Sequence, residues 1–279
     1  MEKITTWFNT PAPALKLIKP KTLNELKTID LNQPYFCIGS GSNVLIRDGG
    51  FQGTVIKLMG DFTTFSRIDD TTVRIGAGCI NRMAVQQCLD NELSGLEFLI
   101  GIPGTIGGAI FMNAGAFSDE TKDTLVACDI MTHDGQIHTI HQFNMVYRSG
   151  NLPKDGIILN GTFKLTKKTK FEIESKIHEF LIHRQNAQPI KGRTGGSTFK
   201  NPPGYKAWEL IDAVGLRGYR IGDAEFSNKH CNFIMNIGNA TAQNIEELGE
   251  LARTRVREKF GIELEWEIQR IGDSVVIIK

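Results

Sequence analysis

The pattern of apolar and polar positions predicts short strands joined by glycine turns in the first half of the chain and longer helices in the second. Residues 35–46 predict a strand, a glycine turn and a second strand. Further predicted strands lie at residues 53–58, 72–78, 156–167, 232–238, 264–272 and 274–279. Residues 128–140 predict a hairpin, because Asp134 and Gly135 form a typical two-residue turn.

Helical periodicity predicts helices at residues 22–26, 81–93, 171–189, 207–215 and 241–260. Thr22, with Glu25 three residues on, predicts an N-terminal cap for the first. The third carries along one side Ile173, Ile177, Phe180, Leu181 and Arg184. The last carries a stripe predicted to be buried, formed by Ile245, Leu248, Ala252, Val256 and Phe260. Residues 98–117 hold too many glycines to predict a stable regular element. A domain boundary is predicted in the 170s or 180s, where a mixed α+β unit begins.

Composition and charge exclude several classes of protein. The net charge of the 279 residues is +1, so no bulk field attracts nucleic acid or an anionic membrane. The five cysteines are odd in number and scattered, which argues against a disulfide framework or a structural zinc site and fits a reducing cytosol. We find no signal peptide and no run of about 18 apolar residues. We therefore expect a cytoplasmic protein without a metal site that binds anions through local groups.

The first glycine-rich turn, GSGSNVLI at residues 39–46, is similar to a nucleotide-binding turn but departs from it. The dinucleotide fingerprint has a third glycine where Val44 stands, and a strand rather than a helix follows. The lysine and hydroxyl of a nucleotide triphosphatase loop are also absent. A plain turn between two strands therefore explains Gly39 and Gly41 as well as a ligand does.

The second glycine-rich segment has stronger implications. Gly101, Gly104, Gly107 and Gly108 fall within eight positions, although glycine inside an element costs about 0.5–1 kcal/mol relative to alanine. Consecutive N–H groups without side chains can form a concavity suited to a pyrophosphate. The alternative is a buried tight loop that only packs.

Four further features have ordinary explanations when each is taken alone. Arg148 in YRSGNLP resembles a solvated arginine, and Ser197 in GGSTFKNPPG lies in what is normally a surface loop. Glu267 in LEWEIQRIG alternates with apolar residues, which is typical of an acidic residue on the solvent-exposed face of a half-buried strand. The lone His230 indicates hydrogen-bonded structure rather than a metal ligand.

In order along the chain, however, these stretches resemble the UDP-N-acetylenolpyruvoylglucosamine reductase family. The matching elements are FNT at residues 8–10, GSGSNVLI, GIPGTIGGAIFMNAGA, YRS, RQNAQP, GGSTFKNP, SNKHCNFIMN and LEWEIQRIG. Each is weakly specific, but the ordered set is strongly specific and covers the chain almost end to end.

The resemblance implies an α+β fold of three parts and a cytoplasmic bacterial enzyme. Residues 1–70 and 71–168 would be two FAD-binding subdomains of the vanillyl-alcohol oxidase/p-cresol methylhydroxylase type, and residues 169–279 a C-terminal α+β substrate-binding domain. NADPH and FAD would reduce the enolpyruvyl group of UDP-N-acetylglucosamine enolpyruvate to UDP-N-acetylmuramate in peptidoglycan synthesis. Related oxidases often attach flavin through an N-terminal histidine, whereas the first histidine here is His133. We therefore expect non-covalent FAD.

The family's catalytic residues match Ser197 as proton donor, with Arg148 and Glu267 stabilising the intermediate. The chemistry agrees, because hydride addition puts negative charge on the substrate carboxylate and its alpha carbon. A guanidinium meets a carboxylate in bidentate fashion and stays charged, and the alpha carbon needs a proton source within hydrogen-bond reach. Glu267 would orient the substrate carboxylate if protonated or assist Arg148 if ionised, and the sequence leaves both open.

The resemblance also suggests binding residues. Expected cofactor contacts are Gly39, Ser40, Gly41, Ser42, Asn43, Gly101, Pro103, Gly104, Thr105, Gly107, Gly108 and Asn113. Expected contacts to the substrate diphosphate are Lys200, Asn201 and Lys229. Nucleic acid, a membrane and an obligate protein partner are not expected.

The chain departs from the family pattern at two places. Phe117 and Ser118 stand where tyrosine and glycine are frequent, and Asp223 stands where a second glycine is usual. The chain has no room for the substrate-capping insertion of the longer type, so the shorter type fits. Two other hypotheses are kept: an FAD-dependent hydroxy-acid oxidase or dehydrogenase on the same scaffold, and a catalytically silent nucleotide-sugar-binding protein.

Overall fold

The computed structural model describes residues 1–153, 156–189 and 191–274, and the chain divides into two compact units. The first unit comprises Met1–Leu17, Gly41–Thr54 and Gln185–Lys279, and the second comprises Ile18–Ser40 and Val55–Arg184. Each unit is therefore built from separate stretches of the chain. The three-part division at 1–70, 71–168 and 169–279 stays a prediction.

The described residues form helices and strands in a mixed order. The α-helices are α1 Leu23–Lys27, α2 Asn81–Asp90, α3 Ile106–Met112, α4 Lys170–Ala187, α5 Ala207–Ala213 and α6 Ala242–Phe260, and the 3-10 helices are Gly60–Thr63, Glu97–Gly101 and Thr121–Asp123. The strands are β1 Glu2–Lys3, β2 Pro13–Ile18, β3 Tyr35–Cys37, β4 Val44–Ile46, β5 Phe51–Ile56, β6 Phe65–Arg67, β7 Thr72–Gly76, β8 Leu93–Ser94, β9 Gly115–Ala116, β10 Asp119–Glu120, β11 Leu125–Met131, β12 Ile137–Ile140, β13 Ile157–Lys164, β14 Thr166–Lys167, β15 Arg193–Ser197, β16 Arg220–Ile221, β17 Ala224–Phe226, β18 Phe233–Asn236 and β19 Gln269–Ile271. Within the described ranges, every helix is too short or too polar to span a bilayer.

All five predicted helices are present, and side-chain caps mark the starts of α1 and α6. At α1 the hydroxyl of Thr22 accepts the N–H of Glu25 at 3.2 Å, while the Glu25 carboxylate accepts the N–H of Lys21 at 2.7 Å. At α6 the side chain of Thr241 caps the first turn, and Gly261 ends the helix with a φ of +69°. Capping residues and glycines therefore placed these helices well.

The prediction for residues 98–117 is wrong, because this segment contains most of the 3-10 helix Glu97–Gly101 and all of α3. Thr105 caps α3, and its hydroxyl accepts the N–H of Gly108 at 3.4 Å. A Cβ on Gly107 would lie 2.9 Å from the Cβ of Ala77. Close packing against this neighbour therefore explains a glycine inside a helix despite its low propensity.

Two details of the predicted pattern also differ. Phe260, predicted to lie on the buried stripe of α6, is 39% exposed. The strand predicted at residues 264–272 shortens to Gln269–Ile271. Among the preceding residues, Trp266 forms an isolated antiparallel bridge with Phe199. The closing strand predicted at residues 274–279 lies outside the described residues from 275 onward.

The second unit is organised around an antiparallel five-stranded sheet in the order β12-β11-β13-β7-β6. The predicted hairpin is formed by β11 and β12, and Gly135 in its turn has a φ of +78°. The core of this unit includes Ile75, Phe98, Ile110 and Phe163, each fully buried. Helices α2 and α3 contribute to the same core, so the glycine-rich segment is part of the packed interior.

The first unit has a different sheet, in the order β15-β18-β17-β16 and antiparallel throughout. Strands β4 and β19 pair in parallel beside it in the same unit. Its core joins α5 and α6 to Phe8, Phe199 and Phe226, all almost fully buried. This arrangement brings segments from both ends of the chain to the vicinity of Ser197.

Candidate active site

Ser197 ends β15, a strand that the sequence pattern presented as a surface loop. The register of β15 against β18 shifts between Thr194 and Ser197, and Gly196 in this bulge has a φ of +85°. A Cβ on Gly195 would collide with the ring of the fully buried Phe8. The two glycines therefore serve the backbone bend and the packing of Phe8, and the bend directs the serine side chain.

The Ser197 hydroxyl is half-buried and uncommitted. Among the described residues, no protein group forms a hydrogen bond with it. The neighbouring Thr198 is the opposite case, since it is fully buried and its hydroxyl accepts the N–H of Ile234 at 3.3 Å. One hydroxyl is thus used by the fold, and the other is available to a ligand.

Glu267 lies on the backbone segment next to Ser197. Its N–H donates to the carbonyl of Thr198 at 2.9 Å. Phe199 and Trp266 pair as an antiparallel bridge, with ring centroids 5.0 Å apart. The half-buried Glu267 is therefore bonded to Thr198, the residue that directly follows Ser197, although 70 positions separate Ser197 and Glu267 in the sequence. This proximity supports the prediction that the two residues work together.

Asn43, predicted as a cofactor contact, holds the Glu267 segment. Its side-chain amide donates to the carbonyl of Glu267 at 3.1 Å, and its own carbonyl accepts the N–H of Gln269 at 3.0 Å. These bonds extend the parallel pairing of β4 and β19 by one step. A direct contact between Asn43 and the cofactor stays a prediction.

Arg148 belongs to the second unit and has a strained backbone. Its φ is +55°, a conformation that favours glycine or asparagine. The guanidinium donates to the carbonyl of Gly115 at 3.1 Å and lies 4.8 Å from the ring centroid of Tyr147. Strained residues cluster at functional sites, so this outlier supports a functional role for the arginine.

The glycine cluster at the start of α3 differs from the prediction in its hydrogen bonds. Three of its N–H groups donate to protein acceptors. The N–H of Ile106 donates to the carbonyl of Cys79 at 2.9 Å, and that of Gly107 donates to the carbonyl of Ala77 at 2.8 Å. The N–H of Gly108 donates to the hydroxyl of Thr105 at 3.4 Å. The fold therefore already uses the hydrogens of these three amides. Contact through other atoms of Gly107 and Gly108 stays a prediction.

Four other amides in the second unit remain available. The N–H groups of Gly39, Ser40, Gly104 and Thr105 have no acceptor within the described part of the chain. The two loops are adjacent, because a Cβ on Gly39 would lie 2.5 Å from the hydroxyl oxygen of Thr105. Neighbouring uncommitted amides of this kind fit the diphosphate of a dinucleotide.

Arg184 is a residue that the sequence interpretation did not assign to the site. Its Nε is buried without a hydrogen-bond partner in the described structure, and burial lowers the pKa of its guanidinium. A Cβ on Gly101 would lie 3.1 Å from the Arg184 Cδ, so the glycine makes room for the arginine. A partly buried guanidinium beside the second glycine segment, with no acidic partner among the described residues, fits an anionic cofactor. Its position in RQNAQP was the available signal.

The three residues predicted to hold the substrate diphosphate lie in the first unit and have protein partners. The contacts are Lys200 Nζ to Glu265 at 2.6 Å, the N–H of Ala207 to Asn201 Oδ1 at 2.9 Å, and Lys229 Nζ to the carbonyl of Gln185 at 2.6 Å. The Asn201 contact also supports the first turn of α5. Binding of substrate by these residues stays a prediction, as do the cofactor contacts of Gly41, Ser42, Pro103 and Asn113.

The two departures from the family pattern have local explanations. Phe117 and Ser118 form the turn between β9 and β10 with φ values of +57° and +69°, and Phe117 stacks on Phe180 at a centroid distance of 4.1 Å. Asp223 follows Gly222, and its carboxylate accepts the N–H of Asn239 at 2.7 Å. Each departure therefore has its contacts within its own unit, the second for Phe117 and Ser118 and the first for Asp223.

His230 is part of the hydrogen-bonded structure, as expected. Its Nδ1 accepts the N–H of Asn232 at 3.3 Å, and burial lowers its pKa. Among the described residues, no group of three histidine, cysteine or acidic side chains could hold a metal ion.

Comparisons with known proteins find relatives over almost the whole chain. Residues 188–271 match the family described as UDP-N-acetylenolpyruvoylglucosamine reductase, C-terminal domain, and residues 17–141 match an FAD binding domain. The UDP-N-acetylenolpyruvoylglucosamine reductase of Rickettsia bellii (strain RML369-C) is 45% identical over 276 residues, which cover 97% of this chain and 91% of the relative. That of Rickettsia typhi is 45% identical over 279 residues, covering 98% and 94%. The crystal structure of the Thermus caldophilus reductase aligns with a TM-score of 0.85 at 39% identity, covering 96% of each chain.

Proposed function

The chain belongs to the UDP-N-acetylenolpyruvoylglucosamine reductase family, and from this membership we propose which of its residues carry the family's reaction. It is an oxidoreductase of peptidoglycan synthesis with an α+β fold, and it uses FAD and NADPH. The substrate that follows from this membership is UDP-N-acetylglucosamine enolpyruvate. When bound and reduced by NADPH, FAD would supply the hydride for the methylene carbon of the enolpyruvyl group.

Arg148 binds the substrate carboxylate. Hydride addition places an electron pair on the alpha carbon, and this charge spreads onto the adjacent carboxylate. The guanidinium meets both carboxylate oxygens and stays charged, which stabilises the developing negative charge. Donors fixed in this way commonly contribute about 10²–10³ in rate. The strained backbone of Arg148 and its bond to Gly115 support this role, because they fix the guanidinium before substrate binds.

Ser197 donates the proton to the alpha carbon, which completes the reduction. A serine is a weak acid, so its position has to compensate for its pKa. The single observation that carries this assignment is the arrangement of Ser197 and Glu267 on paired backbone segments, with the serine hydroxyl unused by the fold. The rigid bulge at Gly196 and the buried Thr198 hold the serine in place on both sides.

Glu267 acts from the segment paired with Thr198. Its backbone is fixed at both the N–H and the carbonyl, by Thr198 and by Asn43. If protonated, its side chain orients the substrate carboxylate, and if ionised, it assists the guanidinium of Arg148. In both alternatives the carboxyl group of Glu267 acts on the bound substrate, and the two differ only in whether that group is protonated or ionised.

The uncommitted amides and Arg184 would hold the FAD diphosphate. The amides of Gly39, Ser40, Gly104 and Thr105 lie in adjacent loops of the second unit, and their hydrogens have no acceptor in the described chain. The buried Nε of Arg184 supplies a positive charge beside Gly101. The first histidine of the sequence is His133, which supports non-covalent attachment.

The enzyme acts in the bacterial cytoplasm. Its five cysteines are all free, and burial raises the pKa of Cys88 and of Cys231 to about 12, so these thiols are unreactive. Retained free thiols fit a reducing compartment. Absence of an obligate protein partner stays a prediction.

The function is tested with the purified protein. We expect a yellow protein that releases its flavin in acid, that NADPH bleaches under anaerobic conditions, and that recovers its colour when UDP-N-acetylglucosamine enolpyruvate is added. A colourless protein would favour a silent nucleotide-sugar-binding protein. Recovery of the colour with a simple hydroxy acid's keto partner, but not with the enolpyruvyl sugar, would favour the oxidase alternative.

The role of Arg148 is tested by replacing it with lysine. Arg148→Lys keeps the charge but loses the planar pair of donors, so we expect turnover to fall by about 10²-fold. The exposed Arg74→Lys in the same unit serves as the control and should retain turnover. Near-wild-type turnover of Arg148→Lys in a steady-state assay would contradict bidentate binding.

A further inference from the structure

The turn that contains Arg148 is tightly closed. Val146 and Ser149 exchange two backbone hydrogen bonds, each 3.0 Å long. Arg148 is the third residue of this four-residue turn and has a φ of +55°. Glycine or asparagine usually occupies such a position because other residues are strained there. Contacts from the rest of the unit therefore have to hold the turn in this conformation.

Asn113, which follows α3, makes the central contact. It is fully buried, and its amide nitrogen donates to the carbonyl of Val146 and to Oε2 of Glu120, both at 3.1 Å. Its Oδ1 accepts the N–H of Lys122 at 3.0 Å. Both amide hydrogens thus have acceptors, and this network fixes the orientation of the amide group.

Two neighbouring contacts hold the same turn to the end of α3. The N–H of Gly150 donates to the carbonyl of Phe111 at 2.8 Å, and a Cβ on Gly150 would lie 2.7 Å from that oxygen. The carbonyl of Gly115 accepts the Arg148 guanidinium at 3.1 Å. The segment from Phe111 to Gly115 therefore contacts the turn before, at and after the arginine.

We propose that Asn113 is a positioning residue that holds the Arg148 turn in its strained conformation and so orients the guanidinium for the substrate carboxylate. This inference rests on the proposed role of Arg148. It also gives the Asn113 side chain a different role from the cofactor contact predicted from the sequence, because its hydrogens are already used inside the second unit. Asparagine suits the position for a second reason, since its own φ is +42°.

The first test is a kinetic double-mutant cycle. Asn113→Asp is nearly isosteric, but it places an oxygen against the carbonyl of Val146 and the carboxylate of Glu120. We expect the oxidation of pre-reduced enzyme by substrate to slow by about 10²-fold, because misplacing a catalytic group by about 1 Å costs that much. In the Arg148→Ala background the same substitution should change the rate by less than about threefold, because residues that act through one another are not additive. Equal losses in both backgrounds would overturn the inference.

The second test does not depend on catalysis. Trypsin cleaves after arginine only where the backbone can open, so release of the turn should expose the bond between Arg148 and Ser149. In Asn113→Asp we expect cleavage there about tenfold faster than in the wild-type holoenzyme under native conditions. The control is Asn160→Ala, which removes a 2.9 Å bond to Asp129 elsewhere in the same unit and should not change cleavage at this bond. Unchanged cleavage in Asn113→Asp would overturn the inference.

The two tests also separate this inference from the proposed function. A wild-type rate in Arg148→Ala would refute the catalytic role of the arginine. The trypsin measurement would then decide alone whether Asn113 holds the turn. An intact visible spectrum and a stable fold in Asn113→Asp, measured by flavin absorbance and thermal unfolding, show that the effect is local.

Discussion

Replacement of Arg184 by methionine should change the stability of the apoprotein and its affinity for FAD in opposite directions. In the structure the guanidinium Nε is buried and has no acceptor among the described residues, and burial lowers its pKa. The side chain packs against Gly101, where a Cβ would lie 3.1 Å from Cδ and 3.3 Å from one terminal nitrogen. Methionine keeps most of this packing and removes the charge.

The two magnitudes follow from the same buried group. An unsatisfied buried donor costs about 1–3 kcal/mol, so Arg184→Met should stabilise the apoprotein by up to that amount. A hydrogen bond to a charged group contributes about 1.5–3 kcal/mol, so loss of the proposed contact with the FAD diphosphate should weaken FAD binding by roughly 10- to 150-fold. Arg184→Lys, which keeps the charge without the planar donor pair, should bind FAD with intermediate affinity.

The assay uses apoprotein prepared by acid release of the flavin. FAD titration followed by flavin fluorescence gives the dissociation constant, and thermal unfolding of the apoprotein gives the stability. Arg74→Met, at an exposed position of β7, is the matched control and should change neither quantity substantially. An Arg184→Met apoprotein that is less stable and binds FAD with wild-type affinity would refute the reasoning.

Three further predictions follow from individual contacts. Ser118→Gly should stabilise the protein by up to about 1 kcal/mol in denaturant unfolding, because Ser118 has a φ of +69°. The control Ser175→Gly, on the exposed face of α4, should destabilise the protein. Equal losses of unfolding free energy in the two variants would contradict this prediction. The carboxylate of Glu172 accepts the N–H of Thr169, and this bond, together with Lys168, lowers the pKa of Glu172 from 4.5 to about 2. The stabilisation by Glu172 is therefore present above about pH 4.5 and is lost as the pH falls toward 2. Unfolding of Glu172→Gln measured across this range should lack that part of the pH dependence, and an unchanged pH profile would refute the prediction. Asn43→Ala should slow substrate reduction by about tenfold with little change in FAD affinity, because the Asn43 amide donates to the carbonyl of Glu267 at 3.1 Å. Weaker FAD binding with normal turnover would instead indicate a direct contact between Asn43 and the cofactor.

Elements with local capping signals could be predicted from the sequence. The helix α6 begins at its Thr241 cap and ends at Gly261, and its predicted stripe is buried except for Phe260. Helix α4 likewise ends before Pro189. These features depend on residues three or four positions apart, which the sequence displays directly.

Elements that depend on distant partners could not be predicted in this way. Strand β15 contains two adjacent glycines and reads as a loop, because the reason for Gly195 is the ring of Phe8 nearly 190 positions earlier. Helix α3 was missed because the low propensity of its glycines is offset by packing against Ala77.

The candidate site shows the same division between residue types and their surroundings. The resemblance selected Ser197 and Glu267, but only the structure places their backbones on paired segments. The glycine-rich pattern indicated a set of free amides, whereas several of the hydrogens are used by Cys79, Ala77 and Thr105. Hydrogen-bond partners lie far away in the sequence, so a count of glycines cannot tell which amides remain available.

The most direct test of the account follows the two half-reactions of Ser197→Ala by stopped-flow absorbance at the flavin band. We expect reduction by NADPH at close to the wild-type rate and reoxidation by UDP-N-acetylglucosamine enolpyruvate slowed by about 10²–10⁴-fold, the range for loss of a general acid. Equal slowing of both half-reactions, or reoxidation at the wild-type rate, would contradict proton donation by Ser197.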